Sequence, residues 1–475
     1  MKNKLLITSV TLCFFGFLSL MLLSSFEKEE QDPSRPNVIL IMVDDLRPEI
    51  NCYNKSTIKS PNIDKLASNS FLYENAVCNY PVCGASRASM LSGLRPNEKR
   101  FKTYKSRIDE EAPDVETLGS WFKKNGYFTL SYGKISHNKN DSPKSWSLPA
   151  WRADKQWRDY QTFENIALAN ENNGVANAFE VGENIEENYA DEKMVDKVIR
   201  DLETINANNQ PCLMAIGFLK PHLPFNAPKK YWDLYTESDL KLANNRYQPH
   251  NTPKIAMHNY AELRRYLNIP DDKTTDIPDS VQLQLIHGYY ACISFVDAQI
   301  GRLIQALKEK DMYDNSIIVF VGDHGWQLGE HNLWAKHCNF QTSLKVPLLL
   351  KYPGQKQKQK IESVVELIDL FPTLCALSNL ETPNHAQGKS LVKINKEDAK
   401  NSVGFSSYHK GTTITTSDYA YTEWFNSKNN TVIGDMLFDL NSDAEENSSL
   451  AKDSSYKTLI SNFKNQIDSL RKTNL

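Results

Sequence analysis

Two short acidic motifs and one cysteine carry the chemistry this chain is capable of. Val43-Asp44-Asp45 closes one apolar, β-branched run, and Gly322-Asp323-His324 closes another. Two adjacent carboxylates at the end of a buried strand repel each other unless a cation lies between them. Asp44, Asp45, Asp323 and His324 together make a mostly oxygen donor set for one hard divalent cation. Calcium is the first choice, and the imidazole keeps magnesium or manganese open. Taken singly, the aspartate pair also reads as a cap or a salt-bridged pair, and the Asp-His pair as structural.

Cys83 stands at the head of a helical stretch, Cys83-Gly84-Ala85-Ser86-Arg87. Unsatisfied backbone N–H groups and the positive end of the helix dipole favour an anionic nucleophile or a bound oxyanion there. Gly84 and Ala85 are small enough to let a substrate approach, and Arg87 lies one helical turn on, within reach of the same region. A cysteine met in isolation is more often buried and inert. Lys134 and His137 read singly as a solvated charge and a surface histidine. His222 is harder to dismiss, because Lys220-Pro221-His222-Leu223-Pro224-Phe225 is a rigid loop behind a strand. Trp326, Trp334 and His331 flank the second acidic motif. They fit a wall for a sugar ring, and the tryptophans fit core packing equally.

The elements that must position these residues follow from periodicity. Asn37 to Val43 is continuously apolar, as suits a strand buried on both faces. Helices are expected over Ile63–Ser70, Thr117–Asn125, Asp191–Ala207 and His287–Lys308. Strands are expected over Phe128–Ser131, Leu213–Phe218, Ser316–Val321 and Val346–Leu350. The alternation predicts an α/β domain with a large, mainly parallel sheet flanked by helices. Asp44-Asp45, His222 and Asp323-His324 each follow a strand, where open α/β sheets place their ligand sites. Lys351 to Lys360, with its Lys-Gln alternation, reads as a solvated loop. From about residue 400 the texture changes. Tyr419–Trp424 and Met436–Leu440 read as antiparallel strands and Tyr456–Leu470 as a closing amphipathic helix. The predicted organisation is a catalytic domain over 35–400 and a small C-terminal α+β subdomain over 401–475.

Composition is that of a globular protein: 40% hydrophobic and 24% charged residues in a chain of 475. A formal charge of −3 gives no reason to expect a nucleic-acid partner. Eight scattered cysteines, one of them Cys13 near the N-terminus, form no disulfide framework. Residues 1–26 read as a signal peptide, with Lys2 and Lys4 before the uncharged run Leu5 to Leu23. The run is also long enough for an uncleaved membrane anchor, the one membrane association expected. Either way the body is exported, with the periplasm first and a membrane-anchored or secreted location as alternatives.

Cys83-x-Ala85-x-Arg87, continued by Leu91-Ser92-Gly93-Leu94-Arg95-Pro96, resembles the signature of the type I sulfatases of the alkaline-phosphatase-like superfamily. The resemblance runs over roughly residues 35–380. It includes Asp44-Asp45-Leu46-Arg47-Pro48, Ser60-Pro61-Asn62, Gly133-Lys134, the His222 loop, Asp323-His324-Gly325-Trp326, Trp334-Ala335-Lys336 and Phe371-Pro372-Thr373. Within the family it is strongest to the iduronate-2-sulfatase branch. Ala85 stands where many members carry proline.

The resemblance implies a sulfuric ester hydrolase whose cysteine, Cys83, is oxidised by a formylglycine-generating or other maturation enzyme. The hydrated aldehyde would be the nucleophile: one hydroxyl attacks sulfur, and deprotonation of the second expels sulfate. Asp44, Asp45, Asp323 and His324, with the modified Cys83, would hold the metal. Lys134 would bind sulfate oxygens, Arg87 would steady the aldehyde hydrate, and His222 and Lys336 would serve the leaving oxygen. His137 would take the second hydroxyl's proton. The substrate implied is a sulfated oligo- or polysaccharide of acidic type, such as ulvan or a glycosaminoglycan. A phosphate or phosphonate monoester hydrolase of the same superfamily is the second reading, and a non-catalytic glycan-binding protein the third. Peptide mass spectrometry of mature protein from a host with the maturation system is expected to find the Cys83 peptide lighter by about 18 Da, as thiol-to-aldehyde oxidation requires. An unmodified thiol there removes the proposed nucleophile.

Overall fold

A computed structural model describes residues 35–473, apart from 55–56, 183–188, 208–209, 259–260, 273–274, 356–357, 394–400, 427 and 430. The leader or anchor read over 1–26 lies outside the described residues. Among those described, no helix is long and apolar enough to cross a membrane.

The apolar run before Asp44 forms strand β1 (Asn37–Val43), buried along its whole length. Around it stand β2 (Phe71–Val77), β3 (Phe128–Gly133), β4 (Cys212–Phe218), β5 (Ser316–Gly322), β6 (Lys345–Lys351) and β7 (Gln359–Glu366). They form a seven-stranded sheet in the order β7-β2-β6-β5-β1-β4-β3. β1 runs parallel to β4 and β5, aligning Val43 with Phe218 on one side and with Gly322 on the other. β3 is parallel to β4 and β2 to β7, while β6 runs antiparallel to both its neighbours. The mainly parallel α/β sheet expected from the alternation is therefore what forms.

Both faces of β1 are covered because successive side chains point to opposite faces. Ile39, Ile41 and Val43 enter one core, with α1 (Pro61–Ala67), α4 (Ala190–Ala207) and α5 (Asp279–Glu309) packed over it. Val38, Leu40 and Met42 enter the other, covered by α2 (Cys83–Ser92), α3 (Leu118–Lys124) and α6 (Leu370–Leu377). Two elements differ from expectation. α5 begins at Asp279 behind Pro278, well before the apolar periodicity that marks it, because Val281-Gln282-Leu283-Gln284-Leu285 alternates apolar and polar residues instead of following helical spacing. β7 takes in Gln359 and Lys360 from the stretch read as a solvated loop. It is an edge strand with an exposed, charged start, so it carries no hydrophobic alternation there.

The C-terminal sheet has four antiparallel strands, β8 (Gly404–Tyr408), β9 (Gly411–Thr415), β10 (Tyr419–Asn426) and β11 (Thr431–Asp439). The last two were expected, although β11 starts earlier; β8 and β9 were not. Helix α7 (Lys457–Thr473) covers one face through Ile460, Phe463 and Ile467 against Ile414, Tyr421 and Leu437. The other face, through Trp424, Met436 and Phe438, packs on Leu333, Cys338 and Phe340. That contact braces the segment carrying Lys336.

One close approach fixes the start of the next loop. Gly133 (φ 66°) pairs with Gly217 across β3 and β4, and Lys134 N donates to Gly217 O at 2.8 Å. A Cβ on Gly217 would lie 2.1 Å from the Lys134 carbonyl oxygen. Gly217→Ala should therefore cost about 3 kcal/mol through overpacking. The check is the chemical-denaturation midpoint; an unchanged midpoint refutes the tight crossing.

Candidate active site

The ends of β1 and β5 deliver Asp44-Asp45 and Asp323-His324 side by side, and the first turn of α2 delivers Cys83 to the same point. Donor atoms of Asp44, Cys83, Asp323 and His324 all lie within 4.8 Å of one another. Asp45 Oδ1 lies 3.4 Å from His324 Nε2 and 4.0 Å from Cys83 Sγ. His324 Nδ1 is 3.0 Å from the Gly325 carbonyl, so its proton sits there and Nε2 turns a lone pair toward the carboxylates. Asp45 adopts a left-handed conformation (φ 59°). It is held by its N–H donating to Asp323 Oδ1 at 3.0 Å and its carbonyl accepting from Tyr289 Oη at 2.8 Å.

These residues fit a divalent cation. Among the described residues, Asp45 Oδ2 is buried with no hydrogen-bond partner, and Asp44 Oδ1 has only an ion pair to Arg87 Nη2, at 3.2 Å. Orphaned anionic oxygens at such depth are costly unless a positive charge completes them. Burial pushes the Asp45 carboxyl well above its usual range, since Lys336 offsets only part of it and Asp44, Glu262 and Asp323 add repulsion. Asp44 goes the other way: burial would raise it, but Lys134 and Arg87 hold it well below the usual range.

Protein cations do much of the balancing. Arg87 donates through Nε to Asp323 Oδ2 at 2.8 Å and through Nη1 to the carbonyls of Lys134 and Ile135. Lys134 Nζ pairs with Asp44 Oδ2. Lys336 Nζ lies 2.8 Å from Asp45 Oδ1 and 3.2 Å from Glu262 Oε1, above the Trp326 ring at 5.0 Å. Ala335 and His337, on either side of it, are both left-handed (φ 71° and 76°), which turns Lys336 inward.

His222 Nδ1 is 2.6 Å from the Leu223 carbonyl, which fixes the ring and leaves Nε2 facing Glu262 Oε1 at 3.4 Å. Burial, with the charges of Lys134 and Lys336, holds His222 well below its ordinary pKa, and Asp44 and Glu262 offset only part of that. His137 packs edge-on against Tyr104, with ring centroids 5.7 Å apart. Burial and Lys134 lower it to about 3, so it is a neutral base near neutral pH.

Three expectations change. The Cys83 thiol is not activated by its helix N-terminus: burial, with Asp44 adding, pushes it well above the usual thiol value. Trp326, Trp334 and His331 are each 1% exposed, so they form no wall for a sugar ring. The tryptophans belong to the core beneath α5, and His331 packs on Phe340 with ring centroids 4.6 Å apart and planes tilted by 40°. Glu262 and His337 were not anticipated. Glu262 lies in irregular chain between β4 and α5, where no periodicity or motif marks it. Its one sequence signal is a lone acid near a likewise unmarked 3₁₀ turn, Leu263–Arg265.

The sheet, the buried carboxylates and their cation partners define a hydrolase acting on a charged oxyanion ester. The profile of the family described as Sulfatase matches residues 36–380, and one described as N-sulphoglucosamine sulphohydrolase, C-terminal, matches 329–473. The chain is 33% identical to iduronate 2-sulfatase of Mus musculus over 387 residues, 73% of this chain and 69% of that one. Among solved structures it is similar to a protein in complex with its substrate D-glucosamine-2-N,6-O-disulfate, with TM-score 0.72, 19% identity, and 93% and 98% of the two chains covered. It is similar also to the phosphonate monoester hydrolase of Agrobacterium radiobacter, with TM-score 0.72, 21% identity, and 93% and 96% covered. These two likenesses show the shared fold. The chain belongs to the sulfatase family and is an enzyme that hydrolyses sulfate esters.

Removing divalent ions with a chelator is expected to abolish turnover. Adding calcium at ~100 times its Kd is expected to restore about 2.7 kcal/mol of stability. Asp323→Asn should lose that response. A wild-type unfolding midpoint indifferent to calcium refutes the calcium assignment.

Proposed function

We propose that the enzyme removes an O-sulfate from an acidic polysaccharide or its oligosaccharides, of ulvan or glycosaminoglycan type, through a formylglycine made from Cys83. Identity of 33% with an iduronate 2-sulfatase supports the acidic sugar. The raised Cys83 thiol supports modification, because an unmodified side chain here is a poor thiolate nucleophile. Asp44, Asp45, Asp323, His324 and residue 83 would hold calcium, which would neutralise charge on the sulfate oxygens.

The protein's own groups divide the remaining work. Lys134 draws a sulfate oxygen and offsets charge building at sulfur. Arg87, clamped between Asp44 and Asp323, steadies residue 83. His222, in its imidazolium form, gives its Nε2 proton to the departing sugar oxygen, and Lys336 stabilises charge on the same oxygen. His137, neutral and with Nδ1 unbonded, takes the proton whose loss from the second hydroxyl expels sulfate.

The observation that carries sulfate over phosphate is the position of Lys336. Asp45, His222 and Glu262 form a second cluster with donor atoms within 4.8 Å of one another, where a two-metal hydrolase would hold its second ion. The Lys336 ammonium already lies between Asp45 and Glu262. A non-catalytic glycan binder is disfavoured by the assembly of nucleophile, bases and cations at one point. Export, to the periplasm first, through a leader or anchor read over 1–26, would accord with polysaccharide degradation.

The test is turnover of a 2-O-sulfated, iduronate-containing disaccharide beside a phenylphosphonate ester. The expected result is sulfate release from the disaccharide, a rate on the phosphonate lower by about 1000-fold, and loss of both with Cys83→Ala. Preference for the phosphonate overturns the reading.

A further inference from the structure

The site contains a carboxylate that the roles above leave unused. Glu262 stands at its rim, with its side chain 21% exposed. A negative group beside a binding place for sulfated, acidic substrate opposes binding by Coulomb repulsion. Its contacts are with cations and imidazoles. The same oxygen, Oε1, lies 3.2 Å from Lys336 Nζ and 3.4 Å from His222 Nε2. The other, Oε2, has no hydrogen bond among the described residues and faces His337 Nδ1 at 3.9 Å. Among the described residues Lys336 has one further ion-pair partner, Asp45, which belongs to the expected metal shell.

We infer that Glu262 is the positioning residue that holds Lys336 and His222 together as a leaving-group pair. The inference rests on the sulfatase reading. A sugar alkoxide leaves poorly and needs its proton in the transition state. The Lys336 ammonium repels the imidazolium form of His222, and one oxygen shared between them offsets that repulsion and sets their separation. Without Glu262, Lys336 keeps only Asp45 and is drawn toward the metal shell, away from the departing oxygen. His222 keeps its Nδ1 anchor at Leu223 and loses the partner of Nε2. Among the described residues the nucleophile and the Lys134–Asp44 pair share no hydrogen bond or ion pair with Glu262, so attack on sulfur is expected to stay intact.

The consequence is a dependence on the leaving group. Glu262→Gln and Glu262→Asp, made in full-length matured protein, are compared with wild type on 4-nitrophenyl sulfate and on a sulfated uronate disaccharide. Nitrophenolate leaves without a proton; the sugar oxygen does not. The expected result for Glu262→Gln is a fall in kcat of about 100-fold on the disaccharide and less than about threefold on the aryl ester, with KM unchanged or lower. Glu262→Asp, which restores the charge on a shorter arm, is expected to recover about a tenth or more of the disaccharide rate. Equal losses on both esters, a change confined to KM, or Asp no better than Gln overturns the positioning role alone. Wild-type protein that turns over neither ester overturns the sulfatase reading, and this inference with it.

Discussion

The repulsion among three buried carboxylates is the constraint to which the rest of the site answers. Asp44, Asp45 and Asp323 are 0–1% exposed and meet at the ends of two adjacent strands. Charges so placed are tolerated only when paired and hydrogen-bonded. Arg87 reaches across to Asp323 and Asp44, Lys134 takes the remaining oxygen of Asp44, and Lys336 takes Asp45. Asp45 is still left with an unmatched oxygen. A fold built only for stability would fill this space with apolar side chains. Concentrated charge held ready for a cation and an anionic ester is what a sulfate-hydrolysing site requires.

Distant parts of the molecule serve that balance. The parallel pairing of β1 with β4 and β5 brings the first acidic motif, the His222 loop and the second acidic motif to one sheet edge. The glycine pair at β3 and β4 lets two backbones touch, so Lys134 enters beside Asp44. The C-terminal sheet supplies none of these groups. Its inner face packs on Leu333, Cys338 and Phe340, and Gln341 N donates to buried Glu446 at 2.6 Å. That packing holds the left-handed residues on either side of Lys336. The small subdomain therefore acts on chemistry through the placing of one ammonium.

Cys83 shows two physical effects competing at one residue. A helix N-terminus lowers a thiol pKa by a modest amount. Full burial beside carboxylates raises it by more, and burial prevails. An unmodified cysteine at this point is thus held as a thiol, whereas a hydrated aldehyde brings hydroxyls that need no stable thiolate.

The sequence by itself determined what local pattern and residue chemistry can encode. Seven-residue apolar runs mark β1 and β5 as strands buried on both faces, and the acids that end them are marked as candidate ligands by having no place in a core. The Cys83 and Arg87 spacing, one helical turn, survives folding because α2 forms there. Long-range packing decided the rest. Whether Trp326 and Trp334 face a sugar or the core depends on what covers them, and α5 covers them. Glu262 acquires its place when an irregular segment crosses to Lys336, 74 positions later in the chain. The thiol of Cys83 is set by its depth, which no window of neighbours reports. Periodicity records which face of an element is apolar; solvation and the pairing of charges depend on elements far apart in the chain, and only their tertiary meeting fixes them.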